Sequence, residues 1–229
     1  MALVVSGMNK RRWIFGTAAA ATMVASGLFA LSSFITATPA RSAETTRPVI
    51  VVLGDSISAE YGLPQDTGWV ALLRKRLAEQ RIDYSVANAS ISGDTTSGGR
   101  ARMPELMERL KPSIVIVELG ANDALRGVPL STTKDNLRTI VEQAQQGHAK
   151  VVLVGMYVPS NYGQAYTQRF HAMYGKLAHD MSVRLVPFLL AGIENKPDMF
   201  QSDQMHPTQQ AQPVLLDNVW PVLSPLLRK

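Results

Sequence analysis

The chain has 229 residues, of which 46% are hydrophobic and 18% charged, and it contains no cysteine. That composition belongs to a globular protein and excludes a disordered, collagenous or coiled-coil chain; the missing cysteines also exclude a disulfide scaffold, a thiol nucleophile and thiolate metal sites. The net charge of +5 raises the question of a nucleic-acid partner, which the placement of the charge answers.

Lys10, Arg11 and Arg12 stand directly before 28 uncharged residues, 13–40, rich in Ala, Leu, Phe, Ile and Val. A basic start, an apolar run and small residues at Thr38-Pro39-Ala40 or Ala40-Arg41-Ser42 fit a secretory signal peptide. The run would also cross a bilayer as an uncleaved anchor, since about 20 apolar residues suffice for one span. Arg11-Arg12 is weakly similar to twin-arginine export signals, and Met8 is an alternative start. Removing residues 1–40 leaves 20 positive against 18 negative side chains, which withdraws the nucleic-acid reading. The expected organisation is therefore a signal peptide or membrane anchor at 1–40 and one folded domain at 41–229, periplasmic or secreted, touching a membrane only if the first segment is retained.

From Pro48 onward, short apolar runs alternate with amphipathic stretches. Val49–Leu53 is a continuous β-branched run of the kind found in strands buried on both faces of a parallel sheet. Similar runs recur at Tyr84–Asn88, Ile114–Leu119, Val151–Met156 and Arg184–Phe188. Helical patterns fall between and after them, at Trp69–Gln80, Ser97–Leu110, Thr132–Gln146, Gln164–Met181 and Thr208–Leu227. Strand followed by helix, repeated in this way, predicts an α/β domain with a five-stranded, doubly wound parallel sheet and right-handed crossovers.

Ligands of such sheets bind beyond the carboxyl ends of the strands, so the residues after each run are the candidates for chemistry. Ser56 follows the first run. Asp203 and His206 lie three residues apart on the last long loop, close enough for a carboxylate to fix an imidazole that activates a serine. Gly93 offers a backbone N–H and Asn122 a side-chain amide, the donors an oxyanion needs. His148, His171 and His179 lie in or beside predicted helices and read as solvated helix-face residues. Asp55, Asp94 and Asp123 read as loop braces, and Trp69 as core. Tyr157, Val158, Pro159 and Tyr162 are candidates for the wall of an acyl groove, with plain loop packing as the competing reading. Taken singly each element is common; a Gly-Asp-Ser after a strand is usually a turn with a helix cap.

Together, Gly54-Asp55-Ser56, Gly93, Gly120-Ala121-Asn122-Asp123 and Asp203-Gln204-Met205-His206-Pro207 resemble the four sequence blocks of the SGNH, or GDSL, hydrolases. The likeness runs from about Val49 to the C-terminus. It is strongest to the branch of bacterial periplasmic acyl-CoA thioesterases, arylesterases and lysophospholipases. The resemblance implies a three-layer, flavodoxin-like α/β/α sandwich and a serine esterase working through an acyl-enzyme on Ser56. It further implies His206 as general base and acid, Asp203 as its partner, and an oxyanion hole from the Ser56 N–H, the Gly93 N–H and Asn122. Ala121 and Met205 depart mildly from the family pattern. No cofactor or metal is implied, the substrates are small acyl esters or thioesters, and a monomer is expected. A carbohydrate O-deacetylase of the same family, and a silent membrane-tethered binding module, are the alternative readings. Ser58 at the place of the second glycine, with the nucleophile after the first strand, separates the chain from the α/β-hydrolases and their Gly-x-Ser-x-Gly elbow.

Overall fold

The computed structural model describes residues 47–227, so the readings of the 1–40 segment, its cleavage and the start at Met8 lie outside the described residues. The strands are β1 (Val49–Gly54), β2 (Ser85–Asn88), β3 (Ile114–Glu118), β4 (Lys150–Val154) and β5 (Arg184–Val186). All neighbours are parallel, in the order β2-β1-β3-β4-β5. Residues 50–53, 114–117 and 151–154 are buried throughout, which is why these segments read as unbroken apolar runs rather than as alternating patterns.

The helices are α1 (Trp69–Glu79), α2 (Thr96–Leu110), α3 (Ala121–Leu125), α4 (Leu130–Gln146), α5 (Gln164–Asp180) and α6 (Gln212–Leu223). α1 packs beside α6, while α2 packs beside α4 and α4 beside α5, giving the three-layer arrangement expected. Trp69, Phe170 and Tyr174 are the largest fully buried side chains and fill the space between sheet and helices. Among the described residues no helix is long and apolar enough to cross a membrane.

The differences from the sequence reading have identifiable causes. The third, fourth and fifth predicted strands run one or two residues too far. Leu119 and Met156 remain buried beyond the strand ends, because the loops above them cover the sheet edge, and burial keeps them apolar without extended geometry. α3 was not predicted; five residues are too few to display a helical period. The last predicted helix, Thr208–Leu227, is instead a 3₁₀ turn at Gln209–Ala211, then α6, then a second 3₁₀ turn at Ser224–Leu226. Pro213 lies in the first turn of α6 and Pro225 in that final turn, positions where a missing N–H costs no helical bond.

The strand order places the reversal of winding between β1 and β3, since the chain moves from β1 out to β2 and then crosses back to β3. The crevice at that switch point lies beyond the carboxyl ends of these two strands. Ser56 and Asn122, which follow them directly, are delivered to it by topology alone.

Candidate active site

Ser56 lies in the turn that ends β1, where Ala59 N–H donates to Asp55 O at 2.9 Å and Tyr61 N–H to Ser56 O at 3.1 Å. The Ser56 hydroxyl stands 2.9 Å from His206 Nε2, and His206 Nδ1 lies 2.6 Å from Asp203 Oδ2. Because Nδ1–H is committed to the carboxylate, Nε2 is the acceptor that faces the hydroxyl. The Asp203 carboxylate is itself held by two backbone donors, Met205 N–H at 2.9 Å and His206 N–H at 3.0 Å, both to Oδ1. These bonds, the one from His206 foremost, pull its pKa down to about 2. The carboxylate therefore stays charged over the whole range in which an imidazole titrates.

The loop carrying this pair is tied down from outside. Gln201 N–H donates to His206 O at 2.8 Å, and the Gln201 amide donates to Tyr61 O at 2.8 Å and Pro207 O at 3.2 Å. The Tyr61 ring lies 4.4 Å from the His206 ring, so a residue of the nucleophile loop shields one face of the imidazole.

Asn122 sits in the first turn of α3. Its amide donates to Asp55 Oδ2 at 3.1 Å and to Asp94 O at 3.0 Å, which links the loops after β1, β2 and β3. Gly93, one residue before that carbonyl, has φ +77°, a left-handed conformation that a side chain would strain. Its carbonyl accepts from Arg126 Nη2 at 2.7 Å. Asp123 reaches back to Thr96, accepting from its N–H at 2.8 Å and from its hydroxyl at 2.5 Å, and Asp94 pairs with Arg102. The carboxylates read as braces thus join the same loops.

A cavity of about 380 Å³ opens beside this cluster, bordered by Ser56, Asn122 and His206, within the size range of small-molecule sites. Of the four groove candidates, Tyr157, Val158 and Pro159 line it. Tyr162 is not among the lining residues; its ring faces Tyr166, with centroids 6.4 Å apart. Leu125, Met156, Leu190, Phe200 and Met205 complete the apolar wall. Met205 falls inside the last motif block, whereas Leu125, Met156, Leu190 and Phe200 are plain apolar residues outside the motifs, with nothing in the sequence to mark them. His171 is a correction: it is not a solvated helix-face residue, because it is half-buried and stacks on Tyr157 with centroids 3.7 Å apart. The stack turns a helix residue into the backing of the cavity wall. His148 and His179 are exposed as expected.

One group beneath the site escaped the sequence reading although a signal was present. Glu118 is the only carboxylate in the run Ile114–Leu119, and an acidic residue inside a fully buried strand is rare unless paired. It is 0% exposed and accepts from the Ser58 hydroxyl at 2.7 Å, while Ser58 Oγ in turn accepts from Trp69 Nε1–H at 3.1 Å. Trp69 is core, as read, and also closes this hydrogen-bond chain. Among the described residues no group of acidic or histidine side chains could hold a metal ion.

The model of the GDSL-like lipase/acylhydrolase family matches residues 52–212. Esterase TesA of Pseudomonas aeruginosa is 49% identical over 178 residues, covering 78% of this chain and 89% of that protein. The thioesterase 1/protease 1/lysophospholipase L1 of Escherichia coli K12 is 40% identical over 178 residues, covering 78% and 84%. A crystal structure of TesA superposes with a TM-score of 0.77 at 49% identity, covering 78% of this chain and 99% of that one. With Ser56 following β1, a five-stranded parallel sheet and these relatives, the chain belongs to the GDSL-like lipase/acylhydrolase family and is an acyl hydrolase, the class that cleaves carboxylic esters and thioesters.

Proposed function

We propose that the protein hydrolyses acyl esters and thioesters, aryl esters and lysophospholipids among them, with Ser56 as nucleophile, His206 as base and acid, and Asp203 as the orienting carboxylate. The observation that carries this reading is the continuous chain Ser56 Oγ, His206, Asp203, at 2.9 and 2.6 Å, beside an apolar cavity.

In the first half-reaction His206 Nε2 takes the Ser56 proton as Oγ bonds to the acyl carbon, giving a tetrahedral oxyanion. The carbon–oxygen or carbon–sulfur bond then breaks, and the imidazolium returns its proton to the leaving alkoxide or thiolate. In the second half, water loses its proton to His206, attacks the acyl-enzyme, and Ser56 leaves with the proton as the carboxylic acid departs. The charged Asp203 stabilises the imidazolium in both halves.

The oxyanion hole assigned by this reading is the Ser56 N–H, the Gly93 N–H and the Asn122 amide. Both Asn122 amide hydrogens have partners in the resting site, so the oxyanion has to share one of them. The reading also includes export of residues 41–229, supported by the basic residues ahead of the uncharged 13–40 segment.

The deciding experiment is Ser56→Ala, assayed on a short p-nitrophenyl ester, an acyl-CoA and a lysophospholipid. Turnover falls to background on all three. Near wild-type turnover in the purified variant refutes Ser56 as nucleophile.

A further inference from the structure

Behind the nucleophile lies a pair of carboxyl groups that the mechanism above does not use. Glu118, at the end of β3, is fully buried, and its Oε2 accepts from the Ser58 hydroxyl at 2.7 Å and the Asp55 N–H at 3.3 Å. Its other oxygen, Oε1, is buried and has no hydrogen-bond partner among the described residues. The Asp55 carboxyl, 1% exposed, neighbours the Glu118 carboxyl closely enough for each to act on the other. Two carboxylates cannot both be ionised at such a contact, so at least one proton resides between them.

The surroundings decide which group carries it. Asp55 receives donors on both oxygens: Ile57 N–H to Oδ1 at 3.1 Å and the Asn122 amide to Oδ2 at 3.1 Å. It also feels the nearby His206, which favours its charged form. Glu118 has no cation beside it, and burial pushes its acid well above the ordinary range. The other titratable groups acting on the pair are Asp94, on the loop after β2, and Tyr174 from α5, whose hydroxyl donates to Leu119 O at 2.9 Å. Neither supplies positive charge. A proton on Glu118 Oε1 also gives that otherwise unpartnered atom its only role, as donor to Asp55.

We infer that Glu118 is a neutral positioning residue: its Oε1–H donates to the Asp55 carboxylate, and Asp55, so anchored, holds the Asn122 amide in place for the oxyanion. The inference rests on the reading of Asn122 as an oxyanion donor. It also explains the glycine of the Gly-Asp-Ser motif. A Cβ at Gly54 would lie 2.8 Å from Glu118 Oε2 and 2.7 Å from Ser58 Cβ, so only glycine leaves room for the buried acid.

The test is a comparison of Glu118→Gln with Glu118→Leu. Glutamine keeps a neutral donor toward Asp55 and an acceptor for Ser58. The expected result is kcat within about threefold of wild type, with an unchanged pH profile. Leucine removes the donor and lets Asn122 drift, and misplacement of a catalytic group by about 1 Å costs on the order of 10²-fold. A kcat loss of at least tenfold with little change in KM is expected for it. Difference infrared spectroscopy of wild type against Glu118→Gln reads the proton directly, as a carboxylic-acid C=O band absent from the variant. Should Glu118→Leu not fold, the glutamine variant and the infrared band still decide. A Glu118→Gln enzyme as impaired as a Ser56→Ala enzyme, the absence of an acid band, or a folded Glu118→Leu enzyme with wild-type kcat each overturns the inference. None of these outcomes touches the assignment of Ser56, which stands or falls on its own alanine variant.

Discussion

The buried Asp55 makes a prediction about stability that follows from sign and size alone. Desolvation, the largest influence on this carboxyl, raises its pKa from 3.8 to about 6. Below pH 3.8 the group is protonated in both folded and unfolded chains and has no effect. Between there and pH 6 the unfolded chain gives up the proton while the folded one keeps it, so stability falls as pH rises. Above pH 6 the full penalty applies, and a rise from 3.8 to about 6 corresponds to about 3 kcal/mol. Asp55→Asn keeps the shape and removes the titration. Its loss of the Asn122 contact is a constant offset, so the informative quantity is the difference in slope between the two proteins. Thermal unfolding at steps from pH 4 to pH 7.5 is the assay. At about 2–4 °C per kcal/mol for a domain of this size, wild type loses roughly 6–12 °C more across that range than the variant. Asp203 acts in the opposite direction, its depressed pKa stabilising the fold above the acid range, but it is present in both proteins and cancels. Parallel curves, agreeing to within a degree or two after the offset, would refute the claim that burial holds the Asp55 proton.

Two further outcomes bear on catalysis. Asn122→Ala removes one oxyanion donor and lowers kcat by about 10²–10³ with KM within a few-fold; steady-state kinetics on a p-nitrophenyl ester would contradict the assignment by showing a raised KM at preserved kcat. Met205 borders the cavity and is 46% exposed, so Met205→Ala spares the fold while shortening the apolar wall. At about 0.8 kcal/mol per buried methylene, the octanoate-to-acetate ratio of kcat/KM falls roughly five- to thirtyfold, and an unchanged ratio would remove Met205 from the acyl path.

The sequence determined the architecture because both faces of the sheet are covered. Burial on two sides forces unbroken apolar strands, and the polar residues that interrupt the pattern are pushed to the strand ends, where Ser56, Asn122 and Asp203 with His206 are visible. Only the tertiary structure decided what depends on side chains far apart in sequence. The cavity wall joins Leu125, Met156, Leu190 and Phe200 from four different segments, and apolar residues lining a cavity have the same composition as those filling a core. His171 illustrates the same limit, since a helix face reads as solvated until a tyrosine from another loop stacks on it. Glu118 stood in plain view within an apolar strand, yet its meaning lay in Ser58, Asp55 and Asn122 arriving from two other elements. Local periodicity records which face is buried, whereas a hydrogen-bond network is defined by partners that only the fold brings within bonding distance.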